Sequence, residues 1–252
     1  MALFKESSMM CDPLFCKTLP VLDFEASRRV ALAERPTNAP SLWANGRSRR
    51  ALGQFSKFWA PGRTLTIGFF NDTPTEHKAA IEKVARQWLR SANLKFDFVD
   101  GMFADIRIYT DGDDNYSQVG TDALLASPMD ATMALGVKPD DPLFGRTVLH
   151  EFGHVLGLLH EHQHPKANTP WDIPKLYAYF AAKGVDQETV DINLLDKTDK
   201  ALAKGTAYDR ASIMHYSVLQ EQTVGDWEVG INHTLSRCDR RFARRTYPKV
   251  MA

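Results

Sequence analysis

Between residues 150 and 160 the chain places His150, His154 and His160 with Glu151 directly after the first histidine and Gly157 three places before the last. On an α-helix turning about 100° per residue, His150 and His154 lie about 40° apart and one turn from each other, so both imidazoles can reach a single ion. Glu151 is offset by about 60° from His154, which sets a carboxylate beside that ion and outside its ligand set. Were the helix to continue, His160 would point about 80° away from His150 and sit about 15 Å further along the axis. The chain must therefore turn back after Leu156, and Gly157 is the residue type that reaches positive φ at a helix end without penalty. Three neutral imidazoles would leave a zinc ion doubly positive with an open position for water, and Glu151 could take that water's proton as it attacks a carbonyl. The competing reading, an amphipathic core helix with incidental histidines, accounts for the apolar positions but not for glutamate, glycine and third histidine together.

A second run, Ser212-Ile213-Met214-His215-Tyr216, follows about 50 residues after His160. Alone it is a weak signal, because a methionine among apolar neighbours is ordinarily core. With the long histidine motif, the chain resembles the astacin-type metzincins, in which a turn places a methionine under the zinc and a tyrosine two residues later beside it. Met214 and Tyr216 match those positions, and Glu161 matches a glutamate that anchors structure behind the site. The resemblance spans roughly residues 57 to 248, and includes the stretch from Trp59 to Phe70 and the tail from Leu235 to Pro248. It implies an α+β metzincin fold: a twisted mixed β-sheet, an active-site helix above the cleft, and a mostly helical and irregular C-terminal subdomain. It further implies one catalytic Zn²⁺ held by His150, His154 and His160, peptide-bond hydrolysis with Glu151 as base, and Tyr216 ligating zinc at rest and swinging to the tetrahedral intermediate. Protein or peptide is the implied substrate. The chain departs from the family where a charged R-x-D-R-D-like run would follow the third histidine, since it has His162, Gln163, His164, Pro165 and Lys166.

The surrounding pattern supplies the elements such a site needs. Thr64 to Phe70 alternates as a strand, Thr75 to Ser91 carries apolar residues at helical spacing, and Leu94 to Val99, Ala104 to Thr110 and Ala131 to Val137 read as strands. A helix starting near Leu143 bears the motif, and an edge strand for an extended substrate is expected between Gln118 and Ser127. From Ile173 to Tyr208 the pattern is helical and irregular by turns, and a basic helix holds Arg237, Arg240, Arg241, Arg244 and Arg245 as a solvated face. Asp111-Gly112-Asp113-Asp114-Asn115 begins like a calcium loop, but Tyr116 and Asp122 occupy places that need glycine and glutamate, so a polar turn is expected. His162 and His164 flank the site outside ligand spacing.

The chain divides near residue 57. Residues 57–252 form the expected catalytic domain. Residues 1–56 form an extension punctuated by Pro13, Pro20, Pro36 and Pro40, with one helical candidate from Asp23 to Ala33. A loosely structured extension clear of the metal is the default reading. A latency segment, with Cys11 or Asp12 as the blocking group, is the alternative. With 252 residues, 44% hydrophobic content and zero formal charge, the chain can bury one substantial core and carries no field for nucleic acid or acidic lipid. Three cysteines are too few for a disulfide framework. There is no run of membrane-spanning length and no signal-peptide pattern at the start, so a cytoplasmic location or a non-Sec export route is expected. Two other functions stay open: a zinc-binding interaction module, for which Glu151 is superfluous, and a delivered toxin or effector with a restricted proteolytic target.

Overall fold

The computed structural model describes residues 16–19, 23–39, 55–198 and 207–249. Six strands form one sheet: β1 (Cys16–Thr18), β2 (Thr64–Phe69), β3 (Lys95–Phe98), β4 (Ile106–Tyr109), β5 (Asn115–Ser117) and β6 (Met133–Leu135). Their spatial order is β1-β5-β6-β4-β2-β3, and only the β5–β6 pairing is antiparallel. Helix α1 (Phe24–Glu34) belongs to the extension, and α2 (Thr75–Ala85) and α3 (Phe144–Val155) pack together beside the sheet. The C-terminal part carries α4 (Ile173–Ala181), the short α5 (Gln187–Val190) with a π-helical turn after it, and α6 (Arg237–Thr246). This is the α+β arrangement the metzincin resemblance implies.

β2 and β4 are flanked on both sides, and their alternate apolar residues Leu65, Ile67, Ile106 and Ile108 are fully buried. They share one core with Trp59, Trp88, Met133, Leu135, Phe152 and Met214, so the sheet, α3 and the turn containing Met214 are one packed unit. A second, smaller cluster joins Leu176, Phe180, Val190 and Leu194 to Cys16 and Tyr216.

Two boundaries differ from the sequence reading. The helix from Thr75 ends at Ala85, and Trp88–Arg90 tightens into a 3-10 turn whose Trp88 indole donates to the Leu149 carbonyl of α3 at 2.9 Å. The edge strand lies at Asn115–Ser117, earlier than expected, and residues Gly120–Leu125 form a 3-10 turn. Gly120 is the cause: its φ is +53°, and a Cβ there would collide with the Lys57 carbonyl, so the backbone crosses Lys57 too closely to stay extended. The acidic run before Asn115 leads into β5 as a polar turn, and the described residues bring none of its carboxylates into a candidate metal cluster.

The extension is tied to both ends of the catalytic unit. Asn38, 1% exposed, donates to the carbonyls of Ala31 and Phe58 and accepts from the Phe58 amide, while Arg35 donates to the Thr246 carbonyl at 2.9 Å. Asp122 accepts from Ser27 of α1 and pairs with Lys57. Among the described residues, no helix is long and apolar enough to cross a membrane.

Candidate active site

The third histidine returns because α3 ends in a glycine-stopped turn. Gly157 has φ +85°, its N–H donates to the His154 carbonyl at 2.8 Å, and the Leu158 N–H donates to the Gly153 carbonyl at 3.0 Å. These are the two bonds of a Schellman cap. A Cβ at Gly157 would also stand 2.7 Å from the Phe58 ring. The next orphan carbonyls of the helix are satisfied from a distance: the Trp59 indole donates to Val155 and the Tyr247 hydroxyl to Leu156, both at 2.7 Å. The start and the tail of the catalytic unit thus hold the end of the helix that bears the motif.

The same turns set the imidazole tautomers. His154 Nδ1 donates to the Leu158 carbonyl at 2.9 Å, and His150 Nδ1 donates to the Ile213 carbonyl at 2.8 Å, which leaves each Nε2 with a lone pair. His154 Nε2 and His160 Nε2 face each other 3.1 Å apart, and His150 Nε2 is buried with no hydrogen-bond partner. Lone pairs converging in a dry site repel each other, and a cation between them removes the conflict. Burial above all, then neighbouring positive groups, holds His150 and His160 well below the usual imidazole range, and burial lowers His154 to about 4. All three are therefore neutral, the ligand form, and the donor set fits a zinc ion.

Glu151 is 1% exposed. Burial pushes its carboxyl up to about 8, against the opposing influence of the Cys16 thiol and Arg146, and a neighbouring divalent cation acts in the same lowering direction. Its Oε1 has no hydrogen-bond partner, so it is available to a substrate-side proton. Met214 lies directly beneath α3: a Cβ at Gly153 would collide with its Sδ, which is why the fourth residue of the motif is glycine. Tyr216 sits 4.6 Å from His160 and 6.0 Å from His150, ring centroid to centroid.

The structure brings together all five residues singled out for chemistry and adds others. Cys16 is the first: its Sγ lies with the three histidines in a group whose ligand atoms are all within 4.8 Å of one another, and it donates to Glu151 Oε2 at 3.3 Å. The Tyr216 hydroxyl donates to the Cys16 carbonyl, and β1 runs along the edge strand β5. The default reading of an extension clear of the site is thereby corrected. Cys11 and Asp12, the expected blocking groups, lie outside the described residues. No spacing rule singles out Cys16. Asp239 is the second: it accepts from Ser212 Oγ at 2.7 Å and from the Ile213 amide at 2.9 Å, so it fixes the turn that orients His150. Ser236 and Asp239 form a capping box at the start of α6, a signal legible in the sequence. Glu161 ties the third histidine to the same turn: its amide donates to the Met214 carbonyl and its carboxylate accepts from the Asp209 amide.

A family model described as Astacin, a peptidase family, matches residues 52–229. Among solved structures, myroilysin is 38% identical, with a TM-score of 0.73 over 77% of this chain and 97% of that one. The hatching enzyme HCE-1, a zinc-protease of medaka, is 18% identical with a TM-score of 0.54 over 76% of this chain and 94% of its own, a likeness of fold. The zinc metalloproteinase dpy-31 of Teladorsagia circumcincta is 25% identical over 173 residues, 67% of this chain, and this chain spans only 25% of that relative's length. Nematocyst expressed protein 6 of Nematostella vectensis is 26% identical over 176 residues, 70% of this chain and 56% of its own. With the match over most of the chain, and with His150, His154 and His160 gathered where they could hold a metal ion, the chain belongs to the astacin family of peptidases.

Proposed function

We propose that the protein is a zinc-dependent endopeptidase in which His150, His154 and His160 hold the ion and Glu151 is the general base. The convergence of three buried imidazoles, two of them with their tautomer fixed by backbone carbonyls, beside an unpartnered carboxylate oxygen carries this reading. Bound zinc would supply a Lewis acid that polarises the scissile carbonyl and acidifies the attacking water. Glu151 takes the proton from that water and delivers it to the departing amine. The Tyr216 hydroxyl would donate to the oxygen of the tetrahedral intermediate, a role supported by its present bond to the Cys16 carbonyl. Glu151→Gln should keep zinc and lose hydrolysis of unfolded casein by roughly 10²–10⁴-fold. Near-normal turnover in that variant, or undiminished turnover of the parent in the presence of a chelator, would remove the proposal.

We also propose that residues 1–56 act as a latency segment through Cys16. The support is positional: β1 occupies the backbone edge of β5 that an extended substrate would pair with, and the Cys16 thiol and carbonyl engage Glu151 and Tyr216. Substrate and β1 therefore compete for one edge. The full chain carrying Cys16→Ala should cleave casein severalfold faster than the parent. Equal rates would leave the segment a structural extension.

A further inference from the structure

His162 lies outside the ligand spacing, yet it is fully buried against the site. Its ring stacks on Tyr216 with centroids 4.2 Å apart and planes 25° from parallel, and on His160 at 5.2 Å and 30°. The ring is pinned from behind. Its Nε2 donates to the Asn193 carbonyl at 2.8 Å, and Asn193 Nδ2 donates in turn to the Thr189 carbonyl at 2.8 Å. Lys197 Nζ reaches the His162 carbonyl at 3.2 Å, and Gln163 Nε2 donates to the Ile192 carbonyl at 2.7 Å, so the segment after His160 is fastened to the π-helical turn Asp191–Leu195.

With Nε2 donating, Nδ1 holds a lone pair, and that atom is buried without a hydrogen-bond partner. An orphaned buried acceptor is unfavourable, and an aliphatic side chain filling the same space would avoid it. What an aliphatic side chain lacks is a flat face held at a fixed angle by a hydrogen bond. The Tyr216 ring lies against that face on one side, with the metal-binding imidazoles within 4.6 Å and 6.0 Å of its centroid.

We infer that His162 is a positioning residue for Tyr216: the imidazole plane, anchored on Asn193, confines the phenol to the orientation in which its hydroxyl reaches the Cys16 carbonyl beside the three histidines. Plane, anchor and stack together leave the ring free to turn in its own plane and oppose its tilting away. The catalytic part of this inference rests on the proposed role of Tyr216; the positioning part does not.

The test compares His162→Phe, which keeps a flat ring, with His162→Leu, which keeps bulk without one. In crystal structures of the full-chain variants, the Tyr216 ring should be tilted away from its parent orientation in His162→Leu and superpose on it in His162→Phe. A ring that tilts equally in both variants, or in neither, would overturn the inference. Kinetics in the Cys16→Ala full chain then ask whether the orientation matters. Here His162→Leu should lower kcat about tenfold with KM within about twofold, since misplacing a reacting group by about 1 Å can cost about 10²-fold and a smaller tilt proportionately less. His162→Phe should restore most of that loss, and His162→Leu should add no further loss in a Tyr216→Phe background. A full tenfold loss persisting without the Tyr216 hydroxyl would overturn the catalytic part. An unchanged kcat in Tyr216→Phe alone would refute the role given to Tyr216, with the ring orientation in the variant structures still deciding whether His162 positions it.

Discussion

The Tyr216 hydroxyl donates to a peptide carbonyl, that of Cys16, beside three imidazoles that could hold a metal ion, and the proposed oxyanion role rests on that contact. Burial, followed by the Cys16 and Glu151 charges, raises the phenol well above its ordinary range, which keeps it a proton donor across neutral pH. Because its proposed contact strengthens as charge develops on the substrate oxygen, Tyr216→Phe should lower kcat by about 10–10³-fold while KM changes little. A matching rise in KM with kcat intact would instead make it a substrate-binding group. At this scale the sequence is informative where chemistry forces residue type. His150, Glu151, His154, Gly157 and His160 are legible by identity and spacing, and Met214 and Tyr216 through the family resemblance. Cys16 and His162 are not, because Cys16 reaches the site through strand pairing about 100 residues away and His162 through stacking, and neither leaves a periodic mark.

At the scale of elements, the site is a helix, a return and a turn held by the final helix. The strands at Thr64–Phe69, Lys95–Phe98, Ile106–Tyr109 and Met133–Leu135 and the helix Phe144–Val155 follow from hydrophobic period. The edge strand is displaced from its expected position because Gly120, whose close approach to Lys57 breaks the extended chain, looks in the sequence like any loop glycine. The turn at Met214 depends on Asp239 of α6, which is 4% exposed and satisfies the Ser212 hydroxyl and the Ile213 and Ser236 amides at once. Asp239→Ala should strand those donors and destabilise the chain by about 2–4 kcal/mol in urea unfolding. It should also weaken zinc binding, because the Ile213 carbonyl that orients His150 belongs to the same turn. A loss below about 1 kcal/mol, with zinc affinity unchanged, would show that the turn holds without α6.

At the scale of the whole molecule, the extension and the catalytic unit form a single packed structure. α1 and the turn after it are fixed by Asn38, Arg35 and the Asp122 contacts, and the same extension sends Cys16 into the cleft. A division near residue 57 is therefore a boundary of sequence pattern that packing crosses in several places. The chemistry of the cleft depends on one arrangement at its centre. Anomalous difference density collected at the zinc absorption edge, from crystals grown without chelator, tests it most directly. The prediction is one strong peak about 2.0–2.1 Å from Nε2 of each of His150, His154 and His160. A peak bound elsewhere, or no peak with those rings turned apart, would contradict it.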